Sequence, residues 1–291
     1  RLRTVTGVQT CALPIYAGNT TVNILGPNGA VTNASGYLGF NASSSTNKVT
    51  VQNTGAVWNN TSWLYVGNSG SRNSLIVSNA GKVFSAGGQI GAGGTNNQAI
   101  VTGSGSSWNI TSFELDIGGA SSGNSLLIAN GGTVTNGLGS IGYQSGANSN
   151  QVTVADSGSV WKLNGELSVG ELGAGNMLLV TNGGIVSGTS GYLGRYSEGN
   201  RMIVTGPSST VNLSGILWPG GLTGAGNTLL ITNGGRVAND NGWIGSGGAS
   251  NQVAVTGSGS SWTNASQLVL GGSSSGNQLT RSEEHTSELQ S

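Results

Sequence analysis

Cysteine, histidine and proline are almost missing from this chain, and charge is scarce. Its 291 residues include one Cys, one His and four Pro, with 10 basic residues against 10 acidic ones. Charged residues make up 7% of the chain, where about a quarter is usual for globular domains. So sparse and balanced a charge leaves no electrostatic footprint for nucleic acid or for an anionic membrane surface. No apolar run approaches the ~18 residues that a membrane-spanning helix needs. The expected partners therefore include neither nucleic acid nor the interior of a bilayer.

The two rarest residues, Cys11 and His285, both fall in atypical ends. Val5–Ile15 and Arg281–Ser291 look like in-frame translations of a common sequencing adapter, read on opposite strands. Residues 1–16 and 281–291 are accordingly expected to be non-native, leaving 17–280 as one continuous domain and a fragment of a longer gene. Within that stretch there is neither Cys nor His. Cys–His and Ser–His nucleophilic catalysis, and thiolate or imidazole metal sites, lose their essential groups. The pair Glu283-Glu284 beside His285 belongs to the same non-native end. No Gly-Gly-x-Gly-x-Asp run occurs, so structural calcium is not expected. No cofactor or metal is assigned.

What the chain does have is 54 glycines, many Asn, Ser and Thr, and a repeat. An Asn opens each unit, at Asn19, Asn47, Asn73, Asn97, Asn124, Asn150, Asn176, Asn200, Asn227, Asn251 and Asn277, at intervals of 24 to 28 residues. A period of that length signals a solenoid. Within a unit, apolar residues alternate with polar ones, as at Leu126/Ile128 and Val152/Val154, which is strand periodicity. Turn formers separate the short strands. Three strands and three turns per unit, stacked at ~4.8 Å, give an all-β parallel β-helix of about ten coils. The Asn is expected to stack along one corner, its amide bonding backbone and the next Asn. Ile76, Ile100, Leu127 or its neighbours, Val154 and Val180 are expected to line the interior. Pro219, in place of the usual Val or Ile, should disturb pairing there.

The repeat is also two-fold. Units from Asn73, Asn124, Asn176 and Asn227 carry an Asn-x-Gly turn, whereas those from Asn47, Asn97, Asn150 and Asn251 place Trp58, Trp108, Trp161 and Trp262 after the second turn. The unit at Asn200 has Val211 there instead. Packing is the simplest role for this Trp row, and an outward row that stacks on sugar rings is the alternative.

Alignment of the third strands puts Leu in an inward column and leaves two columns outward. Glu114 and Asp116 then share an outward face about 7 Å apart, and Glu166 lies two coils on, roughly 9.6 Å from Glu114. Such carboxylates fit the about 6.5–9.5 Å separation of an inverting glycosidase. No Lys or Arg falls in those columns, and solvated charges on a sheet face explain them as well. The same face presents Tyr37, Trp63, Tyr65, Tyr192, Trp218 and Trp243, with Gln89 and Ser140 between, a pattern suited to contact with carbohydrate. An ice-binding face would need Thr ranks in one column, which Thr153, Thr181 and Thr232 are not expected to keep.

Units of the form Asn-x-Leu-x-Val/Ile-x-Asn-Gly-Gly-x-Val followed by Ile-Gly resemble the passenger repeats of bacterial autotransporters and related β-strand-repeat surface proteins. The resemblance covers nearly all of 17–280 and is specific for architecture. It implies a right-handed parallel β-helix, export to the bacterial cell surface and a C-terminal membrane anchor, and it supplies no catalytic residue. The function this implies is a non-catalytic, extracellular structural or adhesive repeat. Its implied partners are host-cell or matrix carbohydrate or protein. Separately, uncapped first and last coils would invite end-to-end self-association. The rival is a polysaccharide-active β-helix enzyme using Glu114, Asp116 and Glu166.

Overall fold

Residues 2–5, 7–10 and 13–282 are described in a computed structural model. They form 32 strands and, among the described residues, no helix. The chain is a β-solenoid of about ten turns, built from parallel ladders in which each strand pairs with its equivalent one coil away. One coil runs Ser125–Ala129, Thr133–Asn136 and Gly139–Ile141, and the next runs Gln151–Ala155, Val160–Leu163 and Leu167–Val169. The first strands file into a 12-stranded sheet, the first face. Second and third strands form the other two faces, joined into one 20-stranded sheet. Registers are strict: Leu126 opposes Val152, which opposes Leu178, which opposes Met202.

Alternation sends every second side chain inward. On the first face the pairs Leu75/Val77, Ala99/Val101, Leu126/Ile128 and Leu178/Val180 are buried to 1% exposure or less. Ile76, Ile100 and Leu127 sit between these pairs in the half-exposed outward column, in register with Thr153 and Leu179. This corrects the expected interior lining for Ile76 and Ile100; at Leu127 it is the neighbours Leu126 and Ile128 that point in, and Val154 and Val180 are inside. A run of three aliphatics has no period of its own, and the phase is set by the strands above and below.

The corner ladder forms, with one correction. The backbone N–H and the side-chain Nδ2 of each Asn donate to Oδ1 of the next, as from Asn124 to Asn150 (2.8 and 3.1 Å) and Asn150 to Asn176 (2.8 and 3.1 Å). The file is unbroken from Asn47 to Asn277. Asn19 is outside it: Thr20 N–H donates to Asn47 Oδ1, so Thr20 holds the ladder place. Asn19 instead takes the preceding left-handed position (φ 55°), equivalent to Thr46 (φ 59°), which Asn tolerates well. The ladder also explains the Gly that ends each third strand. Gly142 has φ +80°, and a Cβ there would lie 2.1 Å from Nδ2 of Asn176. Only glycine meets both demands.

The tryptophans of the second strands are interior. Trp58, Trp108 and Trp161 are at most 1% exposed, and each indole N–H finds a partner in the coil before it: Asn33, Ser85 and Asn136 at 2.7–3.0 Å. Trp262 bonds Asn239 in the same way, at 2.6 Å. Each indole also lies over a glycine of that preceding coil. A Cβ on Gly36, Gly88, Gly139 or Gly242 would meet the ring at 2.7–2.8 Å. The solenoid is therefore built of double coils, the first supplying the gap and the acceptor, the second the Trp.

Pro219 keeps its register with Leu193, while pairing toward the following coil runs only over Ile216 and Leu217. Strands Leu2–Val5, Val8–Thr10 and Leu13–Ile15 also pair onto the first coil. An open parallel edge, with its free N–H and C=O groups, accepts such extended segments. At the other end Leu268 and Leu270 are 46% and 50% exposed, although their equivalents in earlier coils are buried. Cys11 and residues 283–291, His285 among them, lie outside the described residues.

Candidate functional site: a furrow along the third face

The third strands place one outward residue per coil in a single file: Tyr37, Tyr65, Gln89, Asp116, Ser140, Ser168, Tyr192 and Trp218. Beyond Trp218 the rings continue to Trp243, 5.4 Å away between centroids. The sugar-contact candidates therefore do meet, but as two platforms. At one end Tyr37 stacks on Tyr65 (5.0 Å, 5° between planes), and Trp63 stacks on Tyr65 and on Phe113. At the other, Tyr192 meets Trp218 edge-on at 5.2 Å. Between the platforms lie four polar residues.

Asp116 dominates that polar stretch. It points outward from its strand, yet it is 1% exposed. Its Oδ2 accepts from Gln89 Nε2 at 3.1 Å, and its Oδ1 is buried without a hydrogen-bond partner. Burial pushes its carboxyl up to about 7, with Glu114 adding to the rise and the Gln89 bond opposing it. The sequence carried no sign of this, because depth within a furrow is set by the neighbouring coils and turns.

Glu166 is placed differently. Arg195 reaches it at 3.3 Å and Glu171 at 3.1 Å, and the same guanidinium lies 3.8 Å from the centroid of the Tyr192 ring. Burial alone would lower Arg195, but Glu171 and Tyr192 outweigh it and hold its pKa above the usual value. Ser168 donates to Glu171 at 2.8 Å, tying the polar stretch to this cluster. Thus Glu166 is engaged by a cation, while Asp116 is sunk in the furrow beside Glu114. The three carboxylates do not share one environment.

Comparison with family models, with curated proteins and with solved structures gives no match. The furrow has to be read from its own chemistry. Arg195, Glu171 and Phe113 escaped the column reading because they stand in turns, outside the aligned strand positions. Among the described residues no group of three or more His, Cys, Asp or Glu comes together as a metal site. Thr181 and Thr232 do share a column, with Thr205 and Thr256. Thr153 stands apart from it, beside Leu179.

Proposed function

We propose that this chain is a non-catalytic structural and adhesive repeat of a bacterial surface or secreted protein, acting outside the cell. Each coil contributes apolar burial and a parallel ladder, and coil number sets reach. The observation that carries the reading is the unbroken register of the Asn corner from Asn47 to Asn277, which makes a long element out of units too small to fold alone. A sparsely charged exterior rich in hydroxyl and amide groups supports a role outside the cell. So does the resemblance of the repeats to autotransporter passengers. The partners would be carbohydrate or protein on a host cell or in a matrix, met by the long faces of the rod.

The environments of the candidate carboxylates support the non-catalytic reading. A retained acid and base need access to substrate, and Asp116 is covered while Glu166 is paired. The test is to display the chain on a bacterial surface and measure attachment to glycan- and protein-coated wells, together with release of reducing ends. Attachment without cleavage is expected. Cleavage that disappears in Glu114→Gln or Asp116→Asn would replace this reading with the polysaccharide-active enzyme.

A further inference from the structure

Five buried side-chain polar atoms are without a hydrogen-bond partner among the described residues, and four belong to the third-face furrow: Asp116 Oδ1, Arg195 Nε, Trp218 Nε1 and Trp243 Nε1. The fifth, Ser107 Oγ, sits on another strand ladder. Elsewhere buried polar groups are satisfied with care, as the Asn corner and the four core indoles demonstrate. Native interiors leave few such groups, and each asks for an explanation. Here three donors and one acceptor lie along one line with half-exposed rings.

That combination selects a guest. Flat half-exposed rings at Tyr192, Trp218 and Trp243 suit the apolar face of a sugar ring, and unpartnered donors beside an acceptor suit hydroxyls, which both donate and accept. Glu166 and Glu171 neutralise the one cation in the furrow, so nothing there favours an acidic chain. A peptide strand would need an open sheet edge, and the third strands that carry Tyr37 to Trp243 each pair with a neighbour on both sides. A ladder spacing of ~4.8 Å puts Asp116 and Trp243 about 24 Å apart, room for several sugar rings end to end.

We infer that the furrow binds a neutral polysaccharide lying along the solenoid axis, with Tyr192, Trp218 and Trp243 as its main platform. Ser140, half-exposed between the covered Asp116 and Ser168, faces its hydroxyls. This rests on the adhesive reading and names the partner. The orphaned atoms are covered in the free chain, so binding turns the half-exposed rings and changes tryptophan emission.

The experiment titrates the purified chain with cello-, xylo-, manno- and N-acetylglucosamine hexasaccharides, with oligogalacturonate as the acidic control, following tryptophan emission and calorimetric heat. Saturable binding of at least one neutral hexasaccharide is expected, and oligogalacturonate binds at least tenfold more weakly. Tyr192→Ala and Trp218→Ala lower affinity tenfold or more. Trp218→Phe keeps one aromatic ring, loses the unpartnered N–H together with part of the stacking area, and weakens binding severalfold, so the result does not depend on an alanine variant that unfolds. No saturable binding by any neutral member would overturn the proposal while leaving the scaffold role standing. Equal affinity in Trp218→Phe and Tyr192→Ala would do the same. Binding with cleavage would keep the furrow and remove the non-catalytic role.

Discussion

The double coil containing Trp161 and the one containing Val211 occupy equivalent places and solve the same packing problem differently. In the first, Trp161 fills the second-face interior, its N–H reaches Asn136 at 2.7 Å, and its ring covers Gly139. In the second, Val211 opposes Val186, and Gly188 stands where the acceptor would be. Gly191 there faces Leu213 and Leu217 at 2.8 and 3.0 Å rather than an indole. Donor and acceptor have disappeared together. A lone buried acceptor would cost about 1–3 kcal/mol, so the joint loss avoids an orphan. The interior is thus specified two coils at a time, not residue by residue.

The sharpest way to break this comparison is to empty the larger site. Trp161→Ala should lose about 3–5 kcal/mol, whereas Val211→Ala loses clearly less, as read from denaturant midpoints of the two variants. Equal losses would mean that the indole is not a packing keystone. A second test concerns the Trp108 double coil, which carries Asp116. An acid whose folded pKa is raised to about 7 binds more protons folded than unfolded, so stability is fullest at acid pH and falls as pH rises from about 4 through 7. The fall is on the order of a few kcal/mol, and with a single His in the sequence few other groups titrate there. Melting temperature against pH should flatten in Asp116→Asn. A slope that survives in this variant would place the titrating group elsewhere.

Smaller effects sharpen the comparison. Gly139→Ala puts a Cβ 2.8 Å from Trp161 and 2.6 Å from Leu163, and overpacking of this kind costs about 1–3 kcal/mol. The same change at Gly191 meets only leucine ends and should cost less in a parallel melt. The smallest expected effect is a coupling. Gly188→Asn and Val211→Trp, each harmful alone, should together recover about 1 kcal/mol over the sum of the single changes. A strictly additive double variant would argue that Asn and Trp are not a unit.

Much of this was legible because a solenoid repeats its own constraints. Asn47 through Asn277 at a near-constant period, with alternating Val/Ile/Leu, suffices for the parallel coils and the amide corner. The grouping of Trp with Gly and an acceptor is also present in the sequence, but the Trp lies 20 to 25 residues after the other two, in the next coil, as Trp161 does after Asn136 and Gly139. Only the register brings them together. Ile76 and Ile100 were misplaced, and the inward residue among Leu126, Leu127 and Ile128 stayed open, because three consecutive aliphatics fit either phase. Asn19 was misplaced because Asn suits both the ladder and the left-handed residue before it. The candidate site was half legible. The file Tyr37 to Trp243 follows from alignment, whereas the depth of Asp116 and the reach of Arg195 depend on turns that alignment passes over.

The central claim is that stacked coils share a dry interior held in register by one amide file. Hydrogen exchange of the Asn carboxamides, resolved by NMR, tests it most directly. The account predicts slow side-chain exchange at Asn73, Asn97, Asn124, Asn150, Asn176, Asn200 and Asn227, with Asn150→Ala exposing Asn124, whose N–H and Nδ2 both donate to it. Carboxamides exchanging at the rate of free asparagine, or an Asn150→Ala change that leaves Asn124 as protected as before, would contradict it.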